Sequence, residues 1–432
     1  MLYHSQLLPE NAPDVVAEKV KNVLKDVEFD RPNITDNSPW SSDSFVRDLD
    51  LPNYLKDALY ALEVNRLSRI QKVVIPKLLS GRDIIAQSQS GTGKTITFLI
   101  AAYAAVNPEL NHPQVLIILP TLELALQVCN VADQIGENGP QIRIRRALRG
   151  ERIDSDVTEH IVIGTTGKLL EAILRTQKID CKGVKMAIFD EADNLFDVFQ
   201  NRELMILLKN ALPSTIQTVM FSATFTDEFC DFVSTFCLNP EILRLQQKEI
   251  ALDNIRQLYV KVHNEKEKLA ILIKILRLTD YGSCFIFTQT RQEARSVYEA
   301  LKNEDYPVGT ISSDYDVVER KKALEDLRTG VIRFLVATNV SARGIDIPNI
   351  CMVVNYCLPH NITTQSVDFD VYLHRIGRCG RFGKQGLALS FADRIDSQDY
   401  IEELINYFSK PIEELKVVDG ELTFESQLAV SS

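Results

Sequence analysis

Ser88-Gln89-Ser90-Gly91-Thr92-Gly93-Lys94-Thr95 follows a short strand-like stretch, Asp83 to Ala86, and runs into an apolar helical stretch that begins near Ile96. That context decides the fold. A glycine-rich turn between a buried strand and a helix aims backbone N–H groups and the helix N-terminus at an anion. Ser88, Gln89, Ser90, Gly91, Thr92 and Gly93 then cradle phosphates, Lys94 reaches the β- and γ-phosphates, and Thr95 holds Mg²⁺. The general motif has Gly where this chain has Ser88.

Outward from this turn, short apolar runs recur with amphipathic stretches between them. Val115 to Leu119, Ile161 to Ile163, Met186 to Phe189 and Val219 to Phe221 form one set, and Cys284 to Phe287, Phe334 to Val336 and Met352 to Val354 a second. Strands apolar at successive positions belong to parallel sheets covered by helices on both faces, and the alternation is that of βαβ units. A chain of 432 residues, at roughly 150 per domain, holds two or three domains. The expected architecture is α/β: residues 45–243 as one domain, 256–432 as another, and 244–255 as a flexible linker within the polar stretch Leu243 to Val260, which has no strong strand of its own. Residues 1–44 form an extension in which Val16, Val20, Val23, Leu24 and Val27 make an amphipathic helical stripe after Pro13 and Asp14.

The net charge is −11, so no global positive field draws the chain to nucleic acid, and any such contact is local. The eight cysteines include no C-x-x-C pair and no His companion at zinc-ligand spacing, which points to reduced thiols rather than a metal site or disulfide scaffold. The longest apolar run, Phe98 to Val106, is far short of a membrane span, and Met1 to Glu10 does not read as a signal peptide.

Asp190-Glu191-Ala192-Asp193 follows the apolar run ending at Phe189, which places its carboxylates at the carboxyl end of a strand, where open α/β sheets bind ligands. Asp190 is expected to hold Mg²⁺ through water, and Glu191 to orient and deprotonate the attacking water. Ser222-Ala223-Thr224 after another strand would by itself be an ordinary helix cap. Following a phosphate loop and an acidic strand end, it becomes a coupling element. His374-Arg375-Ile-Gly-Arg378-Cys-Gly-Arg381 lies in the second domain. Arginines three apart cluster on one side of a helix or turn, which suits a γ-phosphate whose charge spreads over several oxygens.

In this order the motifs resemble those of the DEAD-box RNA helicases of superfamily 2, over roughly residues 41 to 420. The resemblance includes Ser68-Arg-Ile-Gln71 with upstream Phe45, and Ala342-Arg343-Gly344-Ile-Asp346. It implies two tandem RecA-like domains that use ATP and Mg²⁺ to act on single-stranded RNA or a short duplex. It assigns adenine selection to Gln71 with Phe45 stacking, ribose or phosphate contact to Gly344 and Asp346, and arginine-finger roles to Arg378 and Arg381. Asp193, Ser222, Thr224 and His374 would couple ATP to RNA. RNA contacts carry over to Pro120, Thr121, Glu123, Arg149, Gly150, Thr165, Gly167, Lys168, Thr290, Arg291 and Thr338. Leu122 stands where most members have Arg, Thr166 and Lys168 depart from the usual Thr-Pro-Gly-Arg, and Arg149-Gly150 replaces a paired glycine.

The loop Ser88-Gln-Ser-Gly, the apolar Leu122, Leu252-Asp-Asn-Ile-Arg and the long gap from Leu358-Pro359 to Tyr372 are similar to the mRNA-export branch of that family. This similarity implies a monomer working in cytoplasm and nucleus, at the cytoplasmic face of the nuclear pore. Its implied partners are a nucleoporin β-propeller and an inositol-phosphate-assisted activator of the HEAT-repeat type. An ATP-gated RNA clamp with little turnover is the alternative; the presence of Lys94, Glu191 and Arg381 favours the enzyme. A double-stranded DNA translocase would need duplex-tracking insertions that the chain does not supply.

Overall fold

The computed structural model of the chain describes residues 41–424, apart from 88–92, 138, 197–198, 223–224, 226–228, 230–232, 234–235, 238–239, 245–253, 279–281, 312–314, 316, 339–349, 362–365, 381–384, 393–396 and 419–420. Two compact units result. In the first, β1 (Ser41–Phe45) and β2 (Arg66–Ser68) make a small antiparallel pair. There follow β3 (Ile84–Gln87), β4 (Val115–Leu119), β5 (Ile144–Ala147), β6 (Ile161–Thr165), β7 (Met186–Phe189), β8 (Gln217–Ser222) and β9 (Glu241–Arg244). They form one seven-stranded parallel sheet in the order β5-β6-β4-β7-β8-β3-β9.

Successive residues of these strands enter different cores. Ile84, Ala86, Val115, Ile117 and Leu119 pack on one face with Val74, Phe98 and Val128 from the helices Arg69–Leu79, Lys94–Ala105 and Leu122–Gly136. Ile85, Leu116 and Ile118 pack on the other with Leu195, Met205 and Leu208. Side chains of a strand alternate between faces, so a strand apolar throughout is stable only when covered on both. Each Leu, Ile or Phe so buried contributes about 1.5–3 kcal/mol relative to exposure. With both faces held, the rim formed by the strands' carboxyl ends is where loops are free to carry chemistry.

The second unit contains β10 (Ile255–Lys261), β11 (Ser283–Thr288), β12 (Val308–Ile311), β13 (Phe334–Thr338), β14 (Ile350–Asn355), β15 (His360–Asn361), β16 (Ser366–Val367), β17 (Gly386–Ala392), β18 (Glu413–Val418) and β19 (Glu421–Phe424). Its eight-stranded sheet has the order β12-β13-β11-β14-β17-β10-β18-β19, parallel except for β19, which returns antiparallel to β18. The sequence reading placed no strong strand between Leu243 and Val260, yet β10 occupies Ile255–Lys261 in the interior of this sheet. Its apolar residues are interrupted: Arg256 reaches Glu413 at 2.7 Å and Lys261 reaches Glu414 at 3.3 Å, both on β18. Those pairings are invisible in a search for apolar runs.

Candidate active site

Three adjacent strands, β7, β8 and β3, deliver the candidate catalytic groups to one rim of the first unit. Gln87, the last residue of β3, is in register with Ser222, the last of β8, whose side chain is fully buried. Phe189 at the end of β7 is in register with Met220 of β8, and Asp190 follows it. Strands in a sheet lie about 4.8 Å apart, so Gln87, Ser222 and the Asp190-Glu191 pair follow one another along the rim.

Ser88 to Thr92 and Thr224 lie outside the described residues. The described end of the turn is Gly93, with φ +92°, a left-handed conformation that favours glycine. A Cβ at Gly93 would also come within 2.7 Å of Gln71 Nε2. Gln71 is buried; its Nε2 donates to Gly93 O at 3.5 Å, and its Oε1 accepts from Ser68 N at 2.8 Å while Ser68 Oγ accepts from Gln71 N at 3.3 Å. This reciprocal capping box fixes the start of the helix Arg69–Leu79 and ties Gln71 to the turn. Phe45 ends β1, and the guanidinium carbons of Arg47 and Arg66 lie 4.5 and 5.2 Å from its ring centroid.

Lys94 and Thr95 open the helix Lys94–Ala105, two residues earlier than the apolar pattern suggests. Lys94 is 8% exposed and Asp190 3%. Burial pushes the Asp190 carboxyl up to about 6 against the opposing pull of the Lys94 ammonium, with Glu191 adding to the rise. A buried carboxylate beside a helix N-terminus bearing a hydroxyl has the donor chemistry of a hard-cation site, and a bound cation would offset the burial that raises Asp190. Asp190 Oδ1 accepts from Glu191 N at 3.0 Å, and Asp190 N donates to Ile118 O at 3.2 Å. Glu191 has φ +50°, an uncommon conformation for a residue with a side chain. Such strain clusters at functional sites, and here it re-aims the chain directly after β7. Asp193 is half-buried in the helix Ala192–Phe196, its Oδ1 accepting from Asn194 N at 3.1 Å.

Other candidate residues line the neighbouring strand ends of this unit. Pro120 and Thr121 follow β4; Thr121 caps the helix Leu122–Gly136, its Oγ1 accepting from Leu124 N at 3.3 Å, with Glu123 in the first turn. Thr165 ends β6, nothing is packed where a Cβ on Gly167 would stand, and Lys168 Nζ pairs with Glu171 at 2.9 Å. Arg149 and Gly150 form an exposed turn after β5. In the second unit, Thr290 follows β11 and caps the helix Arg291–Asn303, while Thr338 ends the adjacent strand β13.

The arginine motif needs a correction. Arg375 does not join a row of exposed arginines: it is 2% exposed, and its Nη1 donates to Cys357 O at 2.6 Å and Asn355 Oδ1 at 3.1 Å, with Phe287 beneath it. It is a structural group of the second unit. Replacing Arg375 with Met is expected to destabilise this unit by about 2 kcal/mol or more, because two buried acceptors lose a charged donor. The readout is a lower urea midpoint for its unfolding; an unchanged midpoint would show that Arg375 is not a structural group of this unit. Arg378 is also buried, its Nε donating to His374 O at 3.2 Å in the last turn of Phe369–Ile376. Gly344, Asp346 and Arg381 lie outside the described residues.

Sequence reasoning also missed Glu293. Its carboxylate accepts from Gln289 N at 2.9 Å, Thr290 N at 3.0 Å and Cys357 Sγ at 3.5 Å, and so holds the turn that carries Thr290 and Arg291. Behind Cys357 lies Lys268, fully buried with Nζ 3.6 Å from the sulfur. The Thr290-x-x-Glu293 spacing is a legible capping box, whereas the Cys357 contact comes from the segment that follows β14, distant in sequence.

Two units of RecA-like fold, the first with a phosphate loop beside an acidic strand end, define a helicase-type ATPase. Residues 68–232 match the DEAD/DEAH box helicase family and residues 267–383 the helicase conserved C-terminal domain. The chain is 37% identical to the ATP-dependent RNA helicase DDX19A of Bos taurus over 387 residues, 89% of this chain and 81% of the relative. It superposes on S. cerevisiae Dbp5 bound to RNA and ADP BeF3 with TM-score 0.82 and 35% identity, covering 86% of this chain and 95% of that one. A variant of S. cerevisiae Dbp5 bound to Nup159, a Gle1 variant, IP6 and ADP gives TM-score 0.63 and 34% identity over 85% of this chain and 95% of that one. The chain belongs to the DEAD-box family of ATP-dependent RNA helicases.

Proposed function

We propose that ATP is held at the rim of β7, β8 and β3, with its adenine read by Gln71 and stacked on Phe45, and its phosphates held by the turn from Ser88 to Gly93 and by Lys94. Thr95 and Asp190 would hold Mg²⁺, which when bound offsets phosphate charge. Glu191 takes the proton of the attacking water, and Arg378 and Arg381 supply arginine-finger charge. Asp193, Ser222, Thr224 and His374 couple hydrolysis to RNA, and Gly344 and Asp346 add nucleotide contacts. Backbone amides and hydroxyls at Thr121, Glu123, Arg149, Gly150, Thr165, Gly167, Lys168, Thr290, Arg291 and Thr338 grip one RNA strand through its backbone and 2′-OH groups, and Pro120, which has no N–H, offers its carbonyl to a 2′-OH.

The observation that carries this reading is that β3 and β7, separated only by β8, end on one rim, where buried Lys94 is close enough to pull on the buried Asp190 carboxyl beside Glu191. The likeness to Dbp5 assembled with Nup159, Gle1 and IP6 supports a role in mRNA export at the cytoplasmic face of the nuclear pore, with a nucleoporin and an inositol-phosphate-assisted activator as partners. ATP hydrolysis measured alone, with single-stranded RNA and with single-stranded DNA tests the reading. RNA alone is expected to stimulate. Equal stimulation by DNA would remove the 2′-OH contacts from the account, and no stimulation by either would overturn it.

A further inference from the structure

Residues 143–152 of this acidic chain contain Arg143, Arg145, Arg146, Arg149 and Arg152. Three of these guanidiniums are committed to the fold. Arg143 Nη2 donates to Asn111 Oδ1 at 2.8 Å and Thr158 O at 2.9 Å; Arg145 Nη2 donates to Arg152 O at 2.7 Å, with Nη1 3.5 Å from Glu159; and Arg146 pairs with Asp133. Arg149 and Arg152 are exposed, and among the described residues neither makes an ion pair.

The backbone that displays them is held in place. Glu151 N donates to Leu148 O at 3.1 Å, Leu148 is buried, and Gly150 takes φ +92° with nothing packed where a Cβ would stand. Arg145 clamps the carbonyl of Arg152 from below. The two arginines therefore stand on a fixed turn at the carboxyl end of β5, the outermost strand of the sheet. Next along the same rim come Thr165 to Lys168 after β6, then Pro120 and Thr121 after β4. Lys168, the cation among those inner residues, is already paired with Glu171. Arg149 and Arg152 thus stand at the outer end of the row without an ion pair among the described residues, with Glu151 between them and Asp154 just beyond.

We propose that Arg149 and Arg152 form a phosphate clamp at the outer end of the RNA track, adding two guanidinium–phosphate contacts to the neutral amide and hydroxyl contacts further in. This rests on the RNA reading above. Guanidinium groups match phosphate oxygens with a planar fork of donors, and each neutralised phosphate releases condensed counterions. The clamp positions RNA without reading its bases.

The test uses the full chain with a labelled oligouridine strand, ADP and beryllium fluoride, over a series of salt concentrations. In the wild type, log affinity should fall linearly with log salt. In R149A/R152A the slope should shrink by about 1.4, from roughly 0.7 for each single-strand phosphate that is no longer neutralised. Affinity at low salt should drop by about tenfold or more, and R149K/R152K should recover most of the slope, since Lys keeps the charge. Shortening the strand from one end, but not from the other, should erase the difference between wild type and R149A/R152A. Thermal unfolding of each variant separates loss of the clamp from loss of the fold. A wild type that binds RNA with the same slope as a folded R149A/R152A overturns the clamp and leaves the RNA reading standing. A wild type that binds no RNA removes both.

Discussion

Replacing Glu191 with Gln is expected to reduce RNA-stimulated ATP turnover by about 10³-fold, within the range general-base catalysis contributes, while ATP and RNA both remain bound. The substitution keeps the volume of the side chain and a hydrogen-bonding oxygen but removes the basic carboxylate. Glu191 is suited to this role because its left-handed backbone, φ +50°, turns the chain immediately after β7, and because it is buried with Asp190 as its neighbour. Asp190 and Lys94 are untouched, so nucleotide binding should persist. The measurements are kcat at saturating RNA and retention of a labelled strand in the presence of ATP. With hydrolysis blocked, the strand should be held longer than by the wild type. A wild-type kcat would place the base elsewhere.

How far the sequence could be read depended on whether the deciding contacts were local. β4, β7 and β8 announce themselves because consecutive residues enter cores on opposite faces. β5 does not: as the edge strand it needs less apolar surface, and Arg145 and Arg146 occupy its middle. β10 was overlooked for a related reason, since Gln257, buried in mid-strand, meets the hydroxyl of Tyr372 at 2.8 Å from a helix far along the chain. In the site, the phosphate turn was legible because its chemistry demands glycine, lysine and a hydroxyl at fixed spacing. Arg375 was misread because arginines three apart look the same in sequence whether a guanidinium meets an anion or a backbone carbonyl. Only the fold brings Cys357 O and Asn355 beneath it. The bond from Gln71 to Gly93 is another such contact: each residue is recognisable alone, but not their meeting.

That correction sharpens what is expected of Arg381. Arg375 is spent on the core of the second unit, and Arg378 is buried with its Nε on the carbonyl of His374. Truncating either would disturb packing as well as any charge offered to phosphate, so neither gives a clean reading of finger chemistry. Arg381 lies outside the described residues; in sequence it follows Gly380, whose φ is +68°. Arg381→Ala is therefore expected to lower kcat by roughly 10³-fold, as for arginine fingers elsewhere, with a much smaller change in ATP binding to the first unit. Arg381→Lys should recover little, because a point charge on a flexible stem does not reproduce the planar fork. Thermal unfolding should be nearly unchanged, in contrast to Arg375→Met. The deciding comparison is kcat at saturating RNA set against nucleotide affinity measured without turnover. Equal losses in both would make Arg381 a ground-state binding residue, and full activity in Arg381→Ala would leave the transition-state charge to Lys94 and to Arg378.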